Sequence, residues 1–175
     1  IAKRFSPRVF LSKPIPQSDI ESLFEAARLA PSSRYHQPWF FYVIRSKTSA
    51  FEKILTCVPE RNLWIRTAPV IIISCYDPTE PKDGVNRWAQ YDLGAAVMSL
   101  VLQATELGYH CRQVGSFDIV KVKNEFSIPE PLLPYTLIAL GNIGSDEEYK
   151  QADPDIVQKD MTPNPRKEKI YEMIT

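Results

Sequence analysis

The segment APSSRYHQPWFF, at positions 30–41, holds more polar groups than a connection between a helix and a strand requires. Serine hydroxyls, a guanidinium, a phenol, an imidazole and an amide stand in one short stretch. Such groups in connecting segments supply the hydrogen bonds that hold small molecules. The alternative is local, because Ser32 and Ser33 alone are more typical of a turn that ends a helix. The segment predicts a binding site only if other motifs support it.

Arginines stand near both ends of the chain, in RFSPRVF at 4–10 and in PNPRK at 163–167. A guanidinium can donate paired hydrogen bonds in one plane, which suits a phosphate group. Isolated arginines near a terminus are more often solvated surface charges. A phosphate site at Arg4, Arg8 and Arg166 therefore requires that the fold bring the two ends together.

The composition is typical of a globular protein and argues against general nucleic-acid or membrane binding. The chain has 175 residues, 44% of them hydrophobic, and 21 basic residues balance 21 acidic ones. We expect one domain over 1–175, with no general basic surface for nucleic acid or membrane. The start of the chain has no signal-peptide pattern, and its longest apolar stretch is too short and polar to span a membrane. Any bound anion needs a local cluster of arginines.

The three cysteines, Cys57, Cys75 and Cys111, lack the spacing of a zinc site or a disulfide framework. Buried free thiols are the better interpretation, and they favour a reducing, cytoplasmic location. His36 and His110 stand far apart in the sequence, so we predict no metal site.

Hydrophobic periodicity predicts strands at 39–44, 70–75, 109–114 and 135–140. Helices are predicted at 49–58, 89–107 and 118–126, after a first helix that a capping box opens at Ser18 and Pro31 ends. A polar tail over 146–165 leads to a short helix from Arg166. Alternating strands and helices indicate a sheet covered on both faces. A phosphate loop and a Gly-x-Gly-x-x-Gly motif are both absent from the sequence.

Five motifs in order, RFSPRVF, PSSRYHQPW, YDLGAA at 91–96, GSFD at 115–118 and PNPRK, resemble the nitroreductase family of flavoproteins. The resemblance covers nearly the whole chain. It implies an α+β fold, a three-layer α/β/α sandwich with a mixed, mainly antiparallel sheet. It also implies an intertwined homodimer that binds FMN at the subunit interface.

The resemblance assigns two groups of residues to the phosphate and pyrimidine ends of FMN. Arg4 and Ser6 match positions that hold the phosphate and ribityl chain, and Arg166 joins them from the other end of the chain. Arg8 matches a basic position beside the pyrimidine edge. Phe5, also predicted to bind the cofactor, stands where the family often has Arg or His, and Asn164 where a second basic residue is frequent.

Other positions surround the flavin ring in the family. Residues that reach it from the partner subunit match Pro31, Ser32 and Ser33, with Tyr35 in place of the common Asn. Gly115 and Ser116 match a turn whose backbone N–H faces flavin N5. Gln113 and Val114, which lead into that turn, are also predicted to bind the cofactor. The nearest candidates for the pyrimidine-edge Asn and Lys of some members are Arg61, Asn62 and Arg66.

The implied activity is that of an FMN-dependent oxidoreductase. NADH or NADPH would bind transiently, pass hydride to flavin N5 and leave, and a nitroaromatic, quinone or similar small acceptor would follow by a ping-pong mechanism. No catalytic side chain is predicted, because the cofactor carries the chemistry. The main alternative is a flavin-binding sensor or carrier without catalysis. A flavin-fragmenting or dehalogenating relative is disfavoured by the short connection at 77–88.

Overall fold

The computed structural model describes residues 1–80, 84–162, 165–168, 170 and 173. The helices are α1 Gln17–Arg28, α2 Ser49–Leu55, α3 Ala89–Glu106, α4 Ile119–Glu125, α5 Asp146–Gln151 and α6 Pro154–Met161. The strands are β1 Trp39–Arg45, β2 Val70–Tyr76, β3 His110–Val114 and β4 Leu133–Gly141. Two 3₁₀ helices, Ser33–Tyr35 and Glu60–Thr67, complete the described elements.

The strands form one sheet in the order β1-β2-β4-β3, and each described pair is antiparallel. β2, one of the two central strands, is buried along nearly its whole length. Ile71 and Ile73 face one hydrophobic cluster, whereas Val70 and Ile72 face another. This explains why β2 is apolar along its length except at Ser74, since a strand covered on both faces has no polar side.

Helices cover both faces of the sheet and make the predicted three layers. On one face α1 packs against α3, with Leu23 and Leu100 fully buried between the helices and the sheet. On the other face α2, α4 and the 3₁₀ helix Glu60–Thr67 contribute Ile54, Ile65 and Val122. The α+β sandwich predicted from the sequence is confirmed.

The predicted start of α1 is wrong. The helix begins at Gln17 with Pro16 as its N-cap, and no side chain caps it. The Pro16 carbonyl accepts a hydrogen bond from the Ile20 N–H at 3.2 Å, so Ser18 lies inside the first turn. A proline preset near its helical φ can begin a helix without a side-chain cap. The helix ends at Arg28, three positions before Pro31.

The predicted polar tail is also wrong, because residues 146–161 contain α5 and α6. Ser145 and Glu148 form a capping box at the start of α5, and the Asp153 side chain caps α6 by accepting from the Asp155 N–H at 2.8 Å. These side chains satisfy the free N–H groups that begin each helix. The helix expected from Arg166 is absent among the described residues 165–168, 170 and 173.

Candidate functional site

The N-terminal arm, residues 4–10, is held against the segment that follows β4. Val9 and Phe10 are almost fully buried, and Phe10 pairs with Ile143 in an isolated β-bridge. The Gly144 N–H donates to the Val9 carbonyl at 2.9 Å. A Cβ on Gly144 would lie 2.7 Å from Val9 Cγ1, so only glycine allows this approach. The segment after β4 therefore anchors the C-terminal end of the arm.

The arm and the C-terminal segment meet at a cavity of about 670 Å³. Its lining includes Arg4, Phe5, Ser6, Arg112 and Arg166. The Arg4 Nη1 donates to the Ser6 Oγ at 2.8 Å. The structure thus brings together four residues predicted from opposite ends of the sequence. Pro163 and Asn164 of the same C-terminal motif lie outside the described residues.

A second cavity of about 330 Å³ shares Arg4, Ser6 and Arg112 with the first. It also reaches Gln113 on β3 and Met98 on α3. The two cavities together form a concave surface beside β3, which we call the arginine cleft. Its polar lining and its position at the edge of the sheet suit a ligand that carries an anionic group.

Arg8 does not stand free beside a predicted ligand. Its backbone N–H and its Nη1 donate to the two carboxylate oxygens of Asp160, at 2.6 and 2.7 Å. The Asp160 side chain is 1% exposed, and it also accepts from the Tyr149 hydroxyl at 3.1 Å. Burial and the charge of Asp160 raise the pKa of Tyr149. Asp160 therefore ties α6 and α5 to the N-terminal arm.

Arg112 and Asp160 are residues of the site that the sequence analysis missed. Arg112 donates from Nη1 to the Ser6 carbonyl and lies over the Trp64 ring, 5.4 Å from its centroid. Burial and the charge of Arg8 lower its pKa, and Asp160 partly offsets them. The sequence signal that could have identified Arg112 is its position inside a predicted strand, next to the buried Cys111.

The turn after β3 is held by two of the candidate side chains. The Ser116 Oγ accepts from Arg61 Nη2 at 2.6 Å, and the Ser116 carbonyl accepts from Asn62 Nδ2 at 3.0 Å. Arg66 does not join them, because its Nε donates to the Leu63 carbonyl. A Cβ on Gly115 would meet no described atom within 4 Å. Packing within the described chain therefore does not explain this glycine.

The polar segment between α1 and β1, at positions 30–38, is bound to α3. The Ser33 N–H donates to the buried Asp92 carboxylate at 3.0 Å, which relates this segment to the YDLGAA motif. The Ser32 Oγ accepts from the Gln37 N–H at 3.0 Å. Tyr35 has a φ of 59° and is 89% exposed. A non-glycine residue in this region carries backbone strain, which recurs at functional sites.

The predicted residues 31–35 do not line the arginine cleft. Arg34 and Gln37, with φ values of 51° and 47°, share the unusual backbone of Tyr35. Arg34 forms a salt bridge with Glu80, and His36 Nε2 lies 3.5 Å from the same carboxylate. Within this chain the connection is thus an exposed, strained and charged loop separate from the cleft.

The described part of the chain offers no other obvious chemistry. All three cysteines are free and buried, and burial raises the pKa of Cys75 and of Cys111 to about 12. No group of three or more metal-binding side chains comes together among the described residues. None of the described helices combines the length and hydrophobicity of a membrane span.

A model of the nitroreductase family matches residues 1–144, which is most of the chain. The chain belongs to the nitroreductase family. A relative from Archaeoglobus fulgidus, assigned by name as an NADH dehydrogenase/NAD(P)H nitroreductase, is 30% identical over 87% of this chain and 88% of its own length. A Methanothermobacter thermautotrophicus protein of the same assignment is 31% identical over 81% of this chain and 74% of its own length.

Solved structures agree with this nitroreductase assignment. An oxidoreductase containing FMN superposes with a TM-score of 0.83, at 26% identity, over 90% of this chain and 81% of its own. A nitroreductase family protein of Clostridium difficile superposes with a TM-score of 0.71, at 27% identity, over 87% of this chain and 90% of its own. The predicted family and fold are confirmed.

The positive charge of the arginine cleft in this nitroreductase complements the negative charge of the phosphate group of flavin mononucleotide. Arg4, Arg112 and Arg166 supply three positive charges to the larger cavity, and the described carboxylate of its lining, Asp160, is paired with Arg8. A phosphate monoester carries about −1.5 to −2 charges at neutral pH. The glycine at 115, which the described chain does not need, fits the close approach of a flat ring.

Proposed function

We propose that this nitroreductase is an FMN-dependent oxidoreductase that takes hydride from NADH or NADPH and delivers it to a nitroaromatic, quinone or similar small acceptor. The observation that carries the proposal is the arginine cleft, which gathers guanidiniums from both ends of a chain whose formal net charge is zero. The names of the FMN-containing and NAD(P)H-linked relatives support the same activity.

FMN, when bound, supplies a ring that accepts hydride at N5 and releases it to an acceptor. We assign Arg4, Ser6 and Arg166 to the phosphate and ribityl end. The Gly115–Ser116 turn, held by Arg61 and Asn62, would present backbone N–H groups to the ring. Gln113 on β3 lines the cleft between these two regions. No side chain need exchange a proton during hydride transfer, so the chain binds and orients.

Donor and acceptor would occupy the same face in turn, which is the ping-pong scheme. The sequence has no dedicated nucleotide-binding motif, and a shared face needs none. Arg8 stays a predicted contact of the pyrimidine edge. Its salt bridge with Asp160 would hold its guanidinium in one orientation, and a fixed cation near that edge stabilises reduced flavin.

A homodimer is part of the proposal. Gly94 lies exposed in the middle of α3, where glycine costs about 1 kcal/mol relative to alanine, and a Cβ there would meet no described atom. Tyr91 and Met98, on the same helix surface, are 76% and 37% exposed. A second copy packed closely on this surface would explain the glycine. It would also bring the strained loop at 31–35 to a flavin in the partner's cleft.

The dimer is tested by sedimentation. Intertwined dimers usually bury more than about 2,000 Å², and such subunits rarely fold alone. We expect only dimer at micromolar concentration. A folded monomer loaded with FMN would contradict the shared site. The single domain over 1–175 and the cytoplasmic location remain predictions.

The activity is tested by reduction under anaerobic conditions. NADH or NADPH should bleach the absorption of the FMN-loaded protein, and a quinone added afterwards should restore it. Parallel lines in double-reciprocal plots would support alternate binding at one face. If neither nicotinamide bleaches the bound flavin, the passive sensor or carrier becomes the better hypothesis.

The location of the cofactor is tested by titration with FMN. Loss of one charge-assisted phosphate contact costs about 1.5–3 kcal/mol, or roughly ten- to hundredfold in affinity. Arg4→Ala and Arg166→Ala should each weaken FMN binding by that amount. Arg28→Ala is the control, because Arg28 pairs with Glu25 on the exposed surface of α1. Unchanged titrations for both cleft variants would refute the assignment.

A further inference from the structure

We propose that Arg112 is the residue that selects a phosphorylated flavin, so that the site prefers FMN over riboflavin. The inference rests on the proposed function and adds to it a specificity residue that the family motifs in the sequence did not indicate. It depends on the position, the contacts and the charge surroundings of Arg112 within the arginine cleft.

The position of Arg112 is central. It lines both cavities of the arginine cleft, together with Arg4 and Ser6. Unlike Arg4, which precedes the first regular element, Arg112 belongs to a strand paired with β4 through residues 110–114. A site built on a strand holds its side chains more precisely than one built on a terminal segment.

Two contacts orient the Arg112 guanidinium without exhausting its donors. Nη1 donates to the Ser6 carbonyl, and the guanidinium lies over the Trp64 ring. Arginine has five N–H donors, and hydrogen bonds to described residues use one of them. The remaining donors of a side chain already held in place can bind an oxyanion at a small entropic cost.

Among the described residues, the carboxylate whose charge stabilises Arg112 is shared with other groups. Asp160 is the carboxylate of the larger cavity, but it already accepts two hydrogen bonds from Arg8 and one from Tyr149. Burial and the neighbouring charge of Arg8 make the protonated state of Arg112 less favourable. An arginine does not lose its proton near neutral pH, so an anionic ligand is what relieves this cost.

A phosphate group would provide that anion, and riboflavin lacks it while sharing the rest of FMN. A residue that acts on the phosphate should change FMN affinity and leave riboflavin affinity unchanged. A residue that only supports the arm through Ser6 should change both equally. The ratio of the two affinities therefore separates a direct contact from a structural effect.

The experiment measures dissociation constants for FMN and for riboflavin by quenching of flavin fluorescence. In the purified full chain, Arg112→Met should weaken FMN binding about ten- to hundredfold and change riboflavin binding less than about twofold. Arg112→Lys should recover part of the FMN affinity, because it restores the charge without the planar fork. Arg28→Met is the control, since Arg28 pairs with Glu25 on the exposed surface of α1, away from the arginine cleft.

The outcomes distinguish failure of the Arg112 inference from failure of the proposed FMN-dependent function. Equal weakening of FMN and riboflavin, or unchanged FMN binding in Arg112→Met, overturns the selection by Arg112 and leaves the proposed function standing. Failure of the unsubstituted protein to bind either flavin overturns both. If Arg112→Met does not fold, Arg112→Lys takes its place, and an unchanged FMN-to-riboflavin ratio in that variant overturns the inference.

Discussion

Replacing Asp160 with asparagine should loosen the N-terminal arm and lower the stability of the whole protein. The carboxylate accepts hydrogen bonds from the Arg8 backbone and guanidinium and from the Tyr149 hydroxyl, over a sequence separation of 152 residues from Arg8. Asparagine keeps the shape of the side chain. It removes the negative charge and offers one acceptor oxygen in place of two.

The magnitude follows from the burial of the pair. Removing one partner of a buried ion pair costs about 3–5 kcal/mol, because the other charge is left without compensation. Asp160 is 1% exposed but the Arg8 side chain is 20% exposed, so water can solvate part of Arg8 in the variant. We therefore expect the lower end, about 3 kcal/mol. For a chain of this length that corresponds to a Tm lower by about 6–12 °C.

The assay is thermal and denaturant unfolding of the purified protein, with and without FMN. Glu125→Gln is the matched control, because its pair with Lys53 is 3.5 Å long and exposed on both sides, and its loss should cost less than about 1 kcal/mol. Combining Asp160→Asn with Arg8→Gln should cost much less than the sum of the single changes. Additive costs, or a loss for Asp160→Asn no larger than that of the control, would refute the reasoning.

Two further predictions concern titrating groups in the core. The hydrogen bond from the Tyr109 hydroxyl to Asp19 Oδ2, at 2.6 Å, is the main reason that its pKa rises to about 12. Because the pKa is raised on folding, this stabilisation is complete below the ordinary value near 10 and is lost as the pH rises toward 12. The difference in unfolding free energy between the natural protein and Tyr109→Phe should therefore shrink between pH 9 and pH 12 in denaturant titrations. Burial raises the pKa of Cys75 and Cys111 to about 12, so at pH 8 about 10⁻⁴ of each thiol is ionised. A chromogenic disulfide reagent should label them only after denaturation, and rapid labelling of the folded protein would contradict their burial.

The elements of the fold were largely predictable because hydrophobic periodicity is a local signal. β2 is the clearest case, since a short run of β-branched residues, apolar except for Ser74, favours a strand covered on both faces. Signals at the ends of helices were weaker. Ser18 had the residues of a capping box, yet the N-cap of α1 is Pro16, two positions earlier. Ser145, by contrast, caps α5 in a stretch that composition alone indicated to be a tail. Which residue caps a helix depends on the point where the chain enters it, and residues that are distant in sequence but close in space determine that point.

The candidate site shows the same division. Arg4, Ser6 and Arg166 were recognisable from their motifs, because the family pattern contains them at the two chain ends. Arg112 and Asp160 belong to none of the recognised motifs. They became part of the site only because β3 and α6 pack against the N-terminal arm.

The sequence by itself therefore determined the family, the layers and the residue types of the site, since each depends on local pattern or on ordered motifs. The tertiary structure alone decided which charges meet, because an ion pair such as Arg8 with Asp160 joins positions 152 residues apart. It also decided which glycines are needed within the chain: Gly144 allows Val9 to approach, whereas a Cβ added at Gly115 would meet no described atom within 4 Å. Steric and electrostatic contacts between distant segments have no local signal, so only the folded chain reveals them.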